Sequence, residues 1–283
     1  MQQYLNLLED ILTNGEIVSN RTGINTIRVE GRMLEFDMNK GFPLLTINKV
    51  YYKKAFAEML CFMKGPTDAA KLRLAGCNWW DKNANENKQW LANPNRKGID
   101  DLGRVYGAQW RDYRAPDGRI IDQLKIAVET IIKDPDSRRI IVETWNPGEL
   151  DRMALPPCHK SYQFICNKLT NELSLIVDIR SSDVILGLST NIAMYALLLK
   201  IVCYATAYKS KKLIFSLKDT HIYENHLEGV RELLTRTPTE LPKLQIHMGQ
   251  EYHGMKVIDK IKTTDIKVLD YKAQKHLNFE MAV

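Results

Sequence analysis

The chain has 283 residues, of which 45% are hydrophobic and 26% charged, as expected of a soluble globular protein with a sizeable core. It contains no run of about 18 apolar residues and no basic, apolar leader, so the sequence predicts neither a membrane span nor a secretory signal. The net charge of +6 is spread along the chain and the five cysteines are irregularly spaced, so we expect a cytoplasmic protein with free thiols and without a metal site.

Apolar spacing defines the predicted elements of the N-terminal part of the chain. They are a helix over 2–12, two short strands over 26–37 and a helix over 52–64. A single arginine, Arg21, lies in the turn before the strands. The helix over 52–64 holds one acid, Glu58, and its pattern favours the exposed stripe over a buried carboxyl with a raised pKa. After Trp80, a polar insertion at about 82–99 is predicted to be an exposed loop or a short helical segment.

The rest of the chain intersperses strands with helices, which favours an α+β fold over a doubly wound sheet. The predicted helices span 120–132, 191–208 and 225–234, and the predicted strands span 140–145, 161–166, 172–179, 212–218 and 244–247. Apolar residues surround most of the helix over 191–208, so we expect it to be buried centrally. The sequence contains no glycine-rich dinucleotide motif and no P-loop.

One cysteine, Cys158, lies in a context that differs from that of the other four, which we interpret as inert core residues. It follows Pro156-Pro157 and precedes His159 near the start of a predicted strand. A nucleophilic thiolate needs a rigid mount and a nearby positive charge, which Arg180 supplies if the two neighbouring strands pair antiparallel. From these residues alone, a nucleophile and a structural cysteine are equally good interpretations.

Two pairs of polar residues lie at or beside predicted strands. Arg138 and Arg139 precede a strand and suit a bidentate anion clamp, with two solvated charges as an equal alternative. His221 and Tyr223 are two positions apart, so on an extended segment their side chains face the same side. A nucleic-acid-binding module is a remote alternative function, because the positive charge forms no concentrated stripe and no recognised motif.

Separated blocks of the chain, in one order, resemble the folate-dependent thymidylate synthase family almost from end to end. The blocks are RTG at 21–23, FPLLT at 42–46, WWD at 79–81, VYGAQWR at 105–111, DPDSRRIIVETWNPGELDRMALPPCH at 134–159, RSSDVILGL at 180–188, NIAMYALL at 191–198 and DTHIYENH at 219–226. The resemblance implies one catalytic domain over 1–283, with an α+β fold in which helices pack on a large mixed sheet. It also implies a homodimer formed through that sheet, with dUMP and 5,10-methylenetetrahydrofolate as substrates.

The same resemblance implies roles for individual residues. Cys158 attacks C6 of dUMP, after which C5 attacks the methylene carbon of the folate. The nucleotide is held by Arg21, Arg180, Ser181, Asn191, His221 and Tyr223, together with Arg138 and Arg139 of the partner subunit. The folate is held by Trp80, Leu155, Asp183, Gly187, Thr190 and Val283. The catalytic set is Cys158, Glu58, Tyr106, His159, Asn191, Asp183 and Trp80, which moves Glu58 from the exposed stripe into the site.

Several positions depart from the family pattern, mostly on the folate side. Ser189-Thr190 replaces a usual Pro-Phe, and aromatic or basic residues are replaced by Asn48, Tyr51, Cys61 and Asn83. Because lost aromatic cover should loosen the folate and admit water, we predict 5-hydroxymethyl-dUMP as the product, as in the phage-like pyrimidine-nucleotide hydroxymethylase branch. The alternative is a thymidylate synthase that makes dTMP, and the retained Trp80 favours it. The amide of Asn191 can accept from N3–H and donate to O4 of uracil, which favours dUMP over dCMP.

Overall fold

A six-stranded sheet organises the fold of the computed structural model, which describes residues 1–281. The strands of this sheet are β1 (Glu16–Val18), β2 (Thr26–Asp37), β5 (Ile141–Glu143), β6 (His159–Asn167), β7 (Glu172–Asp183) and β8 (Lys209–Tyr223). Their order across the sheet is β1-β2-β8-β7-β6-β5. Two small antiparallel pairs are formed by β3 (Tyr113–Arg114) with β4 (Ile120–Ile121) and by β9 (Lys243–Ile246) with β10 (Ile266–Leu269). The predicted contact of Val283 lies outside the described residues.

Helices pack on the sheet, so the predicted α+β class is confirmed. They are α1 (Gln2–Asn14), α2 (Tyr52–Met63), α3 (Ala69–Leu74), α4 (Asp81–Asn85), α5 (Lys88–Leu91), α6 (Gly107–Arg111), α7 (Gln123–Lys133), α8 (Ser189–Thr206), α9 (Leu227–Leu234) and α10 (Met255–Lys260). The central helix is α8, which contacts β7 and β8 on one side and α2 on the other. Side chains of β7 alternate between buried and half-buried, as expected of a strand with one face on the core.

The segment that includes α8 is apolar on all sides because it forms the centre of the core. By length and composition, Val184–Thr206 could cross a membrane, but 72% of its apolar window is buried inside the protein. The sequence prediction of a centrally buried helix over this region is therefore confirmed. Its ends differ from the prediction, since α8 begins at Ser189 and ends at Thr206, where Ala207 adopts a left-handed conformation.

The pairing of the strands positions the segment around Cys158. β7 and β8 are parallel and are connected through α8, whereas the other neighbouring strands of the large sheet are antiparallel. The antiparallel pairing of β6 with β7 places His159 opposite Ile179. The Arg180 N–H also donates to the Cys158 carbonyl oxygen at 2.9 Å. The prediction that Arg180 lies beside Cys158 depended on this antiparallel pairing.

Three predicted strand boundaries were wrong, because ladder pairing continues beyond them in two cases and resumes after one unpaired residue in the third. β7 was predicted to end at 179 before a turn, but it continues to Asp183, which pairs with His221. β8 was predicted to end at 218 and continues to Tyr223. The two strands predicted over 26–37 are one strand, in which Gly31 adopts a positive φ of 64° and has no ladder partner.

The polar stretch over 82–99 contains two short helices, α4 and α5. The Asn87 side chain begins α5 by accepting from the backbone N–H of Trp90 at 3.3 Å, and it donates to the Ala154 carbonyl oxygen at 2.9 Å. Trp90 is 2% exposed and its indole N–H donates to the Asp101 carbonyl oxygen at 2.7 Å. The stretch is therefore a packed helical segment that contacts the chain just before the Cys158 loop.

Candidate active site

The loop before β6 carries Cys158 and is held in place by Arg180. The Arg180 Nε donates to the Pro157 carbonyl oxygen at 2.8 Å, and its Nη2 donates to the Pro156 carbonyl oxygen at 3.1 Å. The guanidinium carbon also lies 5.1 Å from the centroid of the Trp145 ring. Arg180 therefore fixes both prolines and places a positive charge beside the thiol.

The Cys158 thiol is distinguished from the other thiols by its neighbours. Burial raises the pKa of Cys158, and the charges of Arg180 and Arg21 oppose that rise. Burial also raises the pKa of Cys77 and Cys203, in both cases to about 12, without comparable arginines beside them. The two arginines would thus stabilise a Cys158 thiolate once it forms. Within residues 1–281, no three His, Cys, Asp or Glu side chains are grouped as a metal site.

Glu58 lies inside the protein, next to Trp80. It is 7% exposed and accepts a hydrogen bond from the Trp80 indole N–H. The exposed position favoured by the apolar pattern alone was therefore wrong, whereas the resemblance had already moved Glu58 away from the exposed stripe. The physical reason is that α2 packs against α8, α6 and α3, which cover most of its surface. Burial raises the pKa of Glu58 to about 7, although the hydrogen bond from Trp80 acts in the opposite direction.

Tyr106 connects the Glu58 cluster to the Cys158 loop. Its hydroxyl accepts from the Cys158 N–H at 2.9 Å. Its ring lies 5.9 Å from the Trp80 ring and stacks on Phe62 with centroids 5.0 Å apart. Glu58 is thereby connected to Cys158 through Trp80 and Tyr106, although these residues are distant in sequence.

His159 is packed between aromatic rings. Its ring centroid lies 5.0 Å from that of Tyr106 and 5.2 Å from that of Tyr195. Burial lowers the pKa of His159 to about 4, while the side chain of Asn191 acts in the opposite direction. Asn191 is the third residue of α8 and is 8% exposed, so its side chain reaches His159 from within the core.

A π-helical turn over Val184–Leu188 connects the end of β7 to α8. Asp183 begins this turn, and its carboxylate accepts from the N–H groups of Ile185 at 2.9 Å and Leu186 at 3.2 Å. Burial raises the pKa of Asp183, against the charge of His226. A Cβ atom at Gly187 would lie 3.8 Å from Asp183 Cβ and 4.0 Å from Asn191 Nδ2. Gly187 thus lies between the residues predicted to bind the pterin and the uracil.

The residues predicted to hold the ribose and phosphate lie at the same end of β7 and β8. Ser181 pairs with Asp219, whose carboxylate lies 2.7 Å from Nδ1 of His221. The rings of His221 and Tyr223 are in edge contact with centroids 5.4 Å apart, so the prediction that they face one side is confirmed. Arg21 is exposed in the turn before β2.

Arg138 and Arg139 do not join this cluster within one protomer. Both are exposed and precede β5, the edge strand next to β6. Ile141 of β5 pairs with Gln163, so the chain before it runs toward the end of β6 that is farther from Cys158. At about 3.3 Å per residue along a strand, this places the two arginines on the order of 20 Å from Cys158.

Comparison with known proteins agrees with this arrangement. The family model described as thymidylate synthase matches residues 2–283. A protein of Pseudomonas putida named thymidylate synthase is 44% identical over 280 residues, covering 87% of each chain. Those of Pseudomonas syringae pv. tomato and Bordetella parapertussis, with the same name, are 41% identical over 280 and 278 residues, covering 87% and 86% of each chain.

The chain belongs to the thymidylate synthase family.

Two departures from the thymidylate synthase pattern lie at the start of α8. The Ser189 hydroxyl donates to the Ile185 carbonyl oxygen at 2.8 Å, and the Thr190 hydroxyl donates to that of Leu186 at 3.1 Å. Both bonds reach back four residues and satisfy carbonyl groups of the π-helical turn. The hydroxyl hydrogens of Ser189 and Thr190 are therefore committed to the backbone.

Two other departures contact the C-terminal segment of the same chain, which the sequence did not predict. Asn48 Oδ1 accepts from the Leu277 N–H at 2.9 Å, and the ring of Tyr51 lies 4.9 Å from that of His276 in edge contact. His276 also donates from Nδ1 to the Lys49 carbonyl oxygen at 2.9 Å. The apolar residues near the C-terminus were the only sequence signal of such a contact, and they did not identify its partner.

Proposed function

We propose that this chain transfers the one-carbon unit of 5,10-methylenetetrahydrofolate to C5 of dUMP, and that the product is dTMP. The relatives named thymidylate synthase, which are 41% to 44% identical, support this activity. The observation that carries the choice of dTMP is the burial of Trp80, which is 7% exposed and donates to Glu58. A buried indole at this position covers the reacting carbon and disfavours the entry of water.

The comparisons favour dTMP over the 5-hydroxymethyl-dUMP that we predicted from the departures on the folate side. The names of the relatives give no support to the hydroxymethylase branch. By its position, Thr190 was an additional candidate to hold the attacking water, since its hydroxyl replaces an aromatic ring there. Because this hydroxyl donates its hydrogen to the Leu186 carbonyl oxygen, only its lone pairs are free to contact a water molecule.

In the proposed reaction, the first bond forms between Cys158 Sγ and C6 of dUMP. The thiol proton leaves as this bond forms, and the electrons of the C5–C6 double bond give C5 the character of an enolate carbon. Arg180 and Arg21 favour the thiolate, while Tyr106 and the two prolines hold the Cys158 backbone. The neutral amide of Asn191 pairs with N3–H and O4 of the uracil ring and so selects dUMP over dCMP.

The later steps need protons to be moved beside C5. C5 bonds to the methylene carbon, loses its proton, and the bond from the methylene carbon to the folate nitrogen then breaks. Glu58, with a pKa raised to about 7, is suited to accept and return protons near neutral pH. Hydride transfer from tetrahydrofolate to the methylene completes dTMP, the Cys158–C6 bond breaks, and dihydrofolate is the second product.

A homodimer completes the proposed phosphate site. In this proposal Arg138 and Arg139 act on the phosphate bound by the partner subunit, consistent with their distance from Cys158 in one protomer. The sheet face opposite the helices carries exposed apolar residues that a second subunit would cover, namely Met33, Ile141 and Ile165, which are 68%, 44% and 47% exposed. The five free cysteines are consistent with the proposed cytoplasmic location.

Product analysis tests this proposal. The protein is incubated with dUMP and 5,10-methylenetetrahydrofolate, the nucleotide is weighed by mass spectrometry, and dihydrofolate is followed by absorbance. We expect dTMP and dihydrofolate in equal amounts. A nucleotide that carries an added hydroxymethyl group, with tetrahydrofolate as the second product, would assign the chain to the hydroxymethylase reaction instead. The Cys158→Ser variant should form neither product while still binding dUMP, which controls for contaminating activity.

A further inference from the structure

Arg104 lies two residues before Tyr106, and its guanidinium binds two acidic residues from different segments of the chain. Its Nε donates to Glu149 Oε2 at 2.9 Å, and its Nη1 donates to Asp112 Oδ2 at 2.7 Å. Its Nη2 donates to the Asp112 carbonyl oxygen. The side chains of Arg104 and Glu149 are 17% and 7% exposed, so this ion pair is largely withdrawn from water. A planar guanidinium held at three nitrogens has one orientation, which suits it to fix the segments that it joins.

The carboxylate of Glu149 also accepts from two buried amides. Gln109 donates from Nε2 to Glu149 Oε2 at 2.8 Å and to the Arg104 carbonyl oxygen at 3.0 Å. Asn146 donates from Nδ2 to the same Glu149 oxygen at 3.4 Å. These side chains form a polar network that connects the chain before α6, α6 itself and the turn that contains Glu149.

Backbone pairing next to this network leads toward Cys158. The Arg104 N–H donates to the Arg152 carbonyl oxygen at 2.8 Å, so the two segments are in direct contact there. From this point one segment continues to Tyr106 and the other to Cys158, and they meet again where the Tyr106 hydroxyl accepts from the Cys158 N–H at 2.9 Å. A shift between the two segments would therefore separate Tyr106 from the Cys158 N–H, and the ion pair of Arg104 with Glu149 opposes such a shift.

The turn that contains Glu149 is also connected to Arg180, which fixes the prolines before Cys158. Trp145 begins the same connection between strands, and its ring lies 5.1 Å from the guanidinium carbon of Arg180. A displacement of the Glu149 turn would move Trp145 relative to Arg180 as well. Two sets of contacts, one through Tyr106 and one through Arg180, thus lead from the network to Cys158.

We propose that Arg104 and Glu149 are positioning residues, which hold Tyr106 against the Cys158 N–H and so keep the thiol aligned for attack on the nucleotide. Neither residue is required to touch a substrate. The effect on turnover rests on the proposed function, whereas the effect on the Cys158 N–H does not. Loss of the ion pair should lower kcat much more than it changes the KM for dUMP, because the group that moves is the one that reacts.

Three variants separate positioning from stability. Arg104→Met removes the cation and leaves the buried Glu149 carboxylate without it, which destabilises the protein. Combining Arg104→Met with Glu149→Gln removes both charges, so this double variant should regain stability without regaining the contacts of the guanidinium. Arg114→Met is the matched control, because Arg114 also contacts Asp112, at 3.4 Å, but has a side chain that is 54% exposed.

Activity is measured as kcat and the KM for dUMP, and stability as Tm. The Cys158 N–H is observed directly in protein labelled with ¹⁵N-cysteine, in which the backbone amide signals belong to the five cysteines. The Cys158→Ser variant identifies the Cys158 signal by its loss. The hydrogen–deuterium exchange rate of this amide reports its contact with Tyr106, and the signals of the other cysteines are internal controls.

We expect Arg104→Met to lower Tm by about 6 °C or more, as for other broken buried ion pairs. The double variant should regain most of this loss, yet kcat should be about ten- to a hundredfold lower in both variants, with the KM for dUMP within about twofold. In the double variant the Cys158 N–H should exchange about tenfold faster than in the wild type, while the other cysteine amides keep their rates. Arg114→Met should match the wild type in every quantity.

The proposal is overturned if the double variant regains the wild-type kcat together with the Tm, because Arg104 would then act on stability alone. It is also overturned if the Cys158 N–H of the double variant exchanges at the wild-type rate. If Arg104→Met does not fold, the charge-balanced double variant still decides between these outcomes. If the wild type forms no nucleotide product, the proposed function fails, and the exchange rate of the Cys158 N–H alone decides whether Arg104 and Glu149 position this residue.

Discussion

Replacement of Glu58 by glutamine should change how the stability of the protein depends on pH. Glu58 is buried next to Trp80, and burial raises its pKa from 4.5 to about 7. Glutamine keeps an oxygen that can accept from the Trp80 indole N–H, but it cannot ionise. The substitution therefore removes the titration and preserves most of the packing.

The sign and size of the effect follow from linkage. A carboxyl group with a raised pKa keeps its proton in the folded protein at pH values where the unfolded chain has released it. The free energy of unfolding therefore falls as the pH rises from 4.5 to about 7, by about 3 kcal/mol in total. Between pH 5 and pH 8 the loss caused by Glu58 is about 2 to 3 kcal/mol. Glu58→Gln should lack this component.

Urea denaturation at pH 5 and pH 8, at one protein concentration, measures this difference. We expect the stability of Glu58→Gln relative to the wild type to be greater at pH 8 than at pH 5 by about 2 to 3 kcal/mol. Glu86→Gln, at an exposed position, controls for the loss of one negative charge. If the free energy of unfolding changes equally between the two pH values in the wild type and in Glu58→Gln, Glu58 does not have a raised pKa in the folded protein. Turnover by Glu58→Gln should fall by about a hundredfold or more, since the proposed proton carrier is lost.

Three further experiments test other parts of the site. Tyr106→Phe removes the acceptor of the Cys158 N–H and leaves this group without a partner. The free energy of unfolding, measured by urea denaturation, should therefore fall by about 1 to 3 kcal/mol. An unchanged free energy of unfolding would show that the Cys158 N–H does not depend on Tyr106. Asn191→Asp should raise the ratio of dCMP to dUMP turnover in parallel assays, and an unchanged ratio would oppose the proposed reading of the uracil edge. Cys158→Ser mixed and refolded with an Arg138→Ala, Arg139→Ala variant should regain up to about a quarter of wild-type activity, because half of a random mixture has one intact site. No recovery would argue against arginines shared between subunits.

The extent to which the sequence predicted the site differed from residue to residue. Cys158, its two prolines and Arg180 could be linked from the sequence, because they lie on two neighbouring strands joined by a short turn. His221 and Tyr223 could be placed on one side from their spacing alone, and their rings are in contact. In contrast, the polar residues at the end of β7 were predicted to form a turn, because local pattern does not reveal that β8 continues the ladder beside them.

Glu58 marks the clearest limit of local pattern. A single acid in an apolar helix usually points to solvent, and only the packing of α2 against other helices places this one beside Trp80, 22 residues later in the chain. The same holds for Asn48, whose partner Leu277 is 229 residues away. A changed residue on the folate side was interpreted as loosened ligand binding, although the side chain contacts the chain's own C-terminal segment.

By itself, the sequence determined the family and the fold class, because these depend on blocks of neighbouring residues and on apolar periodicity. Only the tertiary structure decided which side chain contacts Glu58, where Arg180 donates its hydrogen bonds, and why α9 contains a glycine. The physical reason is that burial, pKa and close contact depend on groups brought together from distant parts of the chain. Gly229 illustrates this, since its need for space is set by a phenylalanine fifty residues later, at position 279.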